Sequence, residues 1–211
     1  MTAAYRTISG ESDAVAEIEV KRSVFRATLA RAGSEEAARA VIERVRAAGP
    51  DARHHCTAMV IGPEGRLQRT NDDGEPPGTA GSPMLEVLCG EGLSDVVAVV
   101  TRWFGGTLLG TGGLVRAYSE AVRAAVAAAR LVRREPVQFF ELSVPHAQAG
   151  RVEHELRSRG LEMQVDYAEQ AVLRFAVGVA EVDGVDALVA QVTGGAGTAE
   201  RVETGWIDRP L

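Results

Sequence analysis

With 211 residues, 45% of them hydrophobic and 25% charged, the chain can bury one sizeable core or two small ones, a composition that argues against a disordered tract. Its formal net charge of −6 falls wholly on residues 136–211, which hold six basic and twelve acidic side chains. That makes the C-terminal third a poor electrostatic match for nucleic acid, and suits it to a solvated surface or a basic partner.

Residues 14–31 read as extended chain, with Val15, Ile18, Val20, Val24, Phe25 and Leu29 set among charges and a bend near Arg22-Ser23. Ser34 is the expected N-cap of a helix, with Glu35 and Glu36 in its first turn and Ala38, Val41, Ile42 and Val45 on one face. Gly49-Pro50 ends it. Residues 55–61 and 67–70 are expected strands around the turn Gly62-Pro63-Glu64-Gly65. A short helix starts at Pro83, and Val96–Val100 is an expected buried strand. Leu114, Tyr118, Ala121, Val122, Ala125 and Ala129 then mark a long amphipathic helix.

The composition changes at residues 133–136, which divides the chain into domains at 1–135 and 136–211. In the second part, strands at 139–144, 161–167, 172–179 and 198–207 alternate with helices at 147–159 and 182–192. The order βαββαβ is the ferredoxin-like arrangement, and the fold class is α+β. Cys56 and Cys89 lack metal-ligand or redox spacing and are expected to be buried, reduced thiols. No stretch reads as a signal peptide or a membrane span, so a cytoplasmic location is expected.

Two glycine-rich stretches stand apart from this framework: Asp72 to Gly81, and Arg102 to Gly113. Glycine is costly in a folded chain and is kept where backbone turns sharply or comes close to something. Gly110, Thr111, Gly112 and Gly113 open the long helix, where free N–H groups and the dipole favour an anion. Arg102, Gly105 and Gly106, with Asp72, Asp73, Glu75 and Thr79 from the first stretch, complete the candidate ligand residues. The plainer alternative is tight strand–helix packing. A triphosphate loop fits poorly, because Thr111 stands where a lysine is needed, and the dinucleotide pattern fails at Val115. Asp72 and Asp73, with His55, are the weak candidates for a metal. Against that, Asp72 and Asp73 are equally suited to capping the loop. His54 and His55 also face opposite ways on a strand. No metal and no cofactor is expected. Arg116, Arg123 and Arg130 recur every seven residues along the long helix, with Arg133 and Arg134 beyond its end. That stripe is a candidate for RNA phosphates, or simply a solvated face. Trp103, Phe104 and Tyr118 beside it are expected in the core rather than as base-stacking surfaces.

The sequences Lys21-Arg22-Ser23-Val24-Phe25, Asp51-Ala52-Arg53-His54-His55-Cys56, Asp72–Gly81 followed by Pro83-Met84-Leu85, and Arg102–Ser119 together resemble the YigZ/IMPACT family. The resemblance spans most of residues 20–120. It implies an N-terminal domain with the left-handed βαβ fold of a small-subunit ribosomal protein. It also implies a ferredoxin-like domain resembling the last domain of elongation factor G. Eukaryotic relatives act in translational control through an extra N-terminal domain, for which these residues leave no room. The expectation is a non-enzymatic regulator linked to translation or stress response, binding RNA, the ribosome or a translation protein. The alternative is an enzyme or binder acting on a phosphorylated or other anionic small molecule at the glycine-rich cleft. No membrane partner is expected.

Overall fold

Five consecutive apolar residues, four of them β-branched, make a strand that needs cover on both faces. The chain supplies that cover at β6 (Val96–Trp103), the central strand of an antiparallel sheet. The computed structural model describes residues 3–211. They fall into two units, one running as far as Arg134 together with Asp208–Leu211, the other Glu135–Ile207.

In the first unit, β2 (Ala14–Val20) and β3 (Ser23–Arg31) form a hairpin. Its two-residue turn, Lys21-Arg22, has positive φ at both positions (48° and 67°). Primed turns match the strand twist and need that conformation, although glycine or asparagine usually supplies it. Next come α1 (Glu35–Ala48), β4 (His54–Ile61), β5 (Leu67–Asn71) and α2 (Gly81–Gly90). Ser34 caps α1 by accepting from the Ala37 N–H at 3.1 Å. After β6 comes α3 (Thr111–Ala128). The sheet order is β2-β3-β6-β4-β5. Both β3 and β4 run antiparallel to β6, so they are parallel to each other, and α1 makes the βαβ crossover between them.

Alternation along β6 assigns its side chains to two cores. Val97 and Val99 pack with Ala38, Met59 and Ile61 under α1. Val96, Ala98 and Val100 pack with Phe25, Leu88, Tyr118 and Val122 under α2 and α3. Arg102 continues that second row at the strand's end, flanked in register by Phe25 on β3 and His54 on β4. The hydrophobic pattern therefore delivers an arginine, an aromatic and a histidine to one edge of one face.

A short strand that the sequence pattern does not announce, β1 (Tyr5–Ile8), pairs with the opening residues of β7 (Leu131–Val144). β7 begins eight residues before the expected start at 139. In the second unit, β7 is followed by α4 (His146–Ser158), β8 (Met163–Tyr167) and β9 (Ala171–Gly178). α5 (Val185–Thr193) and β10 (Ala199–Pro210) complete it. The sheet order β10-β7-β9-β8 is ferredoxin-like. The expected helix at 182–192 divides into a 3-10 segment, Val179–Gly184, and α5, which meet at Gly184. Phe140, Leu142, Val152, Leu156, Leu173 and Val189 fill this core.

Cys56 is buried as expected, but Cys89 is exposed. It follows Leu88 on α2, and one residue turns the helix by about 100° away from the core. No helix among the described residues is long and apolar enough to cross a membrane.

Candidate functional site

Glu75 brings the two glycine-rich stretches together. Its carboxylate lies 2.5 Å from Arg102 Nη1 and accepts from the Tyr118 hydroxyl at 2.8 Å. The Arg102 and Glu75 side chains are 7% and 4% exposed. The guanidinium also stands over the Phe25 ring (5.3 Å) and the Phe104 ring (5.7 Å), and its Nε–H is buried without a partner among the described residues. Behind the pair, the Cys56 thiol donates to the Asp72 carbonyl oxygen at 3.0 Å and lies 3.3 Å from the Tyr118 hydroxyl. Burial pushes this thiol up to about 12; the Tyr118 hydroxyl works against that, and the Glu75, Asp73 and Asp72 carboxylates add to it. Burial raises the Tyr118 phenol as well, and Cys56 and Glu75 add to that. Neither group ionises near neutral pH.

This charged pair floors a cavity of about 410 Å³. Arg53, His54 and Pro76 line one part of it, Phe104, Leu108 and Leu109 another, and Gly110, Thr111 and Leu114 a third. Phe104 is 47% exposed and Leu108 83% exposed. His54 Nδ1 donates to the Asp73 carbonyl oxygen at 2.8 Å. Gly110 has φ 70° at the start of α3, and no side chain caps the helix. The N–H groups of Thr111, Gly112 and Gly113 are therefore without protein acceptors among the described residues.

Of the residues singled out from the sequence, Arg102, Glu75, Gly110 and Thr111 share this cavity. Others build the loops around it. Asp72 Oδ1 accepts from the N–H groups of Ala80 and Gly81, and Oδ2 from Gly78. Burial pushes the Asp72 carboxyl up, but these three hydrogen bonds outweigh it and hold the pKa below the ordinary carboxylate range. Asp73, at φ 44°, accepts from the His55 N–H (2.7 Å) and pairs with Arg46 (3.2 Å). The Thr79 hydroxyl donates to the Pro76 carbonyl at 2.6 Å. His55 turns to the other face of the sheet, 3.1 Å from Thr101 Oγ1, where burial and then Arg46 lower its pKa. Among the described residues no three His, Cys, Asp or Glu side chains form a metal-ligand set.

Gly105 is a packing glycine: a Cβ there would sit 2.1 Å from the Arg22 carbonyl carbon. Its N–H donates to Ser23 Oγ at 3.1 Å, which fixes the glycine loop against the hairpin turn. Gly106, at φ 83°, supplies a left-handed turn. Gly113 lies against Leu109, whereas Gly112 meets nothing within 4 Å.

The five-arginine stripe does not hold together. Arg116 and Arg123 are exposed on α3, but Glu120 is exposed on the same helix between them. Arg130 lies beyond the helix and pairs with Glu11 (3.1 Å). Arg133 and Arg134 are adjacent on β7, where neighbouring side chains point to opposite faces, and Arg134 pairs with Asp208 (3.1 Å). Of the three aromatics expected in the core, only Tyr118 is fully buried. Trp103 lies under Arg26 and donates to Asp51 (3.0 Å), and Phe104, just past β6, opens onto the cavity. Arg53, Leu108 and Leu109 were not marked out by the sequence as site residues. Their signal was position alone, beside His54 and inside the second glycine stretch.

A βαβ-built domain whose glycine loops frame a charged recess, followed by a ferredoxin-like domain, defines a two-domain class of protein. Residues 21–126 match the Impact N-terminal domain, and residues 142–196 match a domain of unknown function, DUF1949. The IMPACT family member YigZ of Escherichia coli (strain K12) is 42% identical over 180 residues, 84% of this chain and 88% of that protein. The family member YvyE of Bacillus subtilis (strain 168) is 36% identical over 196 residues, 92% of this chain and 90% of that protein. A crystal structure described as that of a hypothetical protein is 36% identical, with a TM-score of 0.64, covering 96% of this chain and 99% of its own. The chain belongs to the IMPACT family.

Proposed function

We propose that this protein is a non-enzymatic regulator linked to translation, which works by binding RNA, alone or on the ribosome, through the recess at the start of α3. One observation carries the reading. A single cavity combines Arg53, the uncapped start of α3 at Gly110 and Thr111, and an exposed aromatic, Phe104. Those are the three elements that single-stranded nucleic acid engages: a cation, a helix N-terminus for phosphate and a ring for a base. Membership of the IMPACT family supports the link to translation. The thiol at the site, Cys56, is suited to packing rather than to attack: it is buried, its pKa is raised, and it is held by the Asp72 carbonyl and the Tyr118 hydroxyl. The recess replaces the arginine stripe as the contact surface.

The test is binding of the intact protein to purified ribosomes and to unstructured RNA across a salt series. Affinity should fall as salt rises. Phe104→Ala and Arg53→Ala should weaken it, and Arg116→Ala/Arg123→Ala should leave it nearly unchanged. No binding at low salt would refute the proposal, and loss of binding only in the arginine pair would move the contact from the recess to the exposed face of α3 that carries Arg116 and Arg123.

A further inference from the structure

Four features around the cavity at the start of α3 are left over once internal packing is accounted for. Gly112 has open space where a Cβ would be, although glycine is a poorer helix residue than alanine. The first-turn N–H groups have no cap. Arg102 lines the cavity with its side chain more than nine-tenths buried and its Nε–H unpartnered. Phe104 and Leu108 line the same cavity yet stay exposed.

We propose that this cavity takes one monophosphorylated nucleotide. Its phosphate lies on the N–H groups of Thr111, Gly112 and Gly113 and on the Arg53 guanidinium, and its base lies against the Phe104 ring. A phosphate offers several acceptor oxygens to three converging donors and gains from the helix dipole. Arg53 is exposed at the cavity wall and makes no ion pair with a carboxylate among the described residues. The one acid in the cavity wall, Glu75, is neutralised by Arg102 at 2.5 Å and does not repel an anion. A single phosphate fits better than a chain of them. Of the two arginines among the described residues that line the cavity, Arg102 is paired with Glu75 and only Arg53 is not, and Thr111 stands where a triphosphate loop would carry its lysine. The Phe104 ring, together with Leu108 and Leu109, gives the base an apolar surface. About 410 Å³ lies within the ~300–1,000 Å³ of small-molecule pockets. Gly112 is explained in the same way, because a methyl group there would crowd the phosphate.

The inference rests on the proposed RNA-binding recess and names the chemistry it reads, which reaches the cavity either as a free mononucleotide or as the 5′-phosphorylated end of an RNA. Calorimetric titration of the intact protein separates the two sources. The probes are AMP, UMP, adenosine, inorganic phosphate, and short RNAs with 5′-phosphate or 5′-hydroxyl ends. AMP and UMP should bind, and adenosine about tenfold or more weakly. Arg53→Ala and Phe104→Ala should each weaken AMP by a similar factor. Gly112→Ala should do so while keeping or raising thermal stability, which separates a ligand effect from misfolding. Preference for the 5′-phosphorylated RNA, with competition by AMP, identifies an RNA end as the source. AMP binding that neither RNA competes for identifies the free nucleotide, and that outcome keeps the inference while removing the RNA reading. RNA binding that ignores the 5′-phosphate and is not competed by AMP overturns the inference and leaves the RNA reading standing. AMP affinity unchanged in both Arg53→Ala and Gly112→Ala also overturns it.

Discussion

Removing one member of the Arg102–Glu75 pair should be among the most damaging single changes in the first unit. Both side chains are more than nine-tenths buried, and the ions lie 2.5 Å apart. Arg102→Met keeps much of the packing against Phe25 but leaves the Glu75 carboxylate buried with only the Tyr118 hydroxyl to stabilise it. Orphaning one partner of a buried pair costs about 3–5 kcal/mol. For a chain of this size ~1 kcal/mol moves Tm by about 2–4 °C, so the expected loss is roughly 6–20 °C. Glu75→Gln should cost a similar amount by stranding the guanidinium. The double variant should cost less than the two singles combined by at least ~1 kcal/mol, because neither charge is then left unpaired. Thermal and urea unfolding, followed by Trp103 fluorescence in a Trp206→Phe background, reports on this unit. Singles within about 1 kcal/mol of wild type, as for an exposed ion pair, would refute the reasoning, and so would strict additivity.

Gly105→Ala places a methyl carbon 2.1 Å from one backbone atom and 2.4 Å from another. Neither can move aside as a side chain would, so urea unfolding should show a loss at or above the usual ~1–3 kcal/mol of overpacking. Asp72 has a lower pKa folded than unfolded, so its contribution is present above the ordinary carboxylate value of ~3.9 and is lost as pH falls through the depressed one. Asp72→Asn should therefore lower stability at pH 7 and flatten the acid limb of a stability–pH profile; an unchanged acid limb would show that the loop does not depend on this charge. A thiol reagent should titrate Cys89 quickly in the native protein and Cys56 only on denaturation, since Cys56 is buried with its pKa raised to about 12. Two fast equivalents would contradict the packing around Tyr118.

The fold was legible where the pattern reflects a local cause. Ser34 with Glu35-Glu36 marked a helix start, Val96–Val100 marked a strand covered on both sides, and the βαββαβ rhythm marked the ferredoxin-like arrangement. β1 escaped because four residues carry no period, and its strand character comes from pairing with β7, more than a hundred residues away. The arginine stripe misled because a seven-residue spacing extends only as far as the helix does, and α3 stops at Ala128. Glu75 could be placed in a loop but not in the core. Its burial depends on Arg102 and Tyr118, which reach it only through tertiary contact. Phe104 next to Arg102 read as core because the strand before it is core, yet β6 ends at Trp103 and releases it to the cavity.

The central claim, that RNA is engaged at the start of α3, is tested most directly by hydrogen exchange of the intact protein with and without saturating unstructured RNA. The uncapped first-turn amides exchange freely unless something accepts from them. The expected result is protection concentrated in residues 104–114 and around Arg53, strongest at Thr111 to Gly113. Protection confined to the exposed face carrying Arg116 and Arg123, or to the second unit, would contradict it.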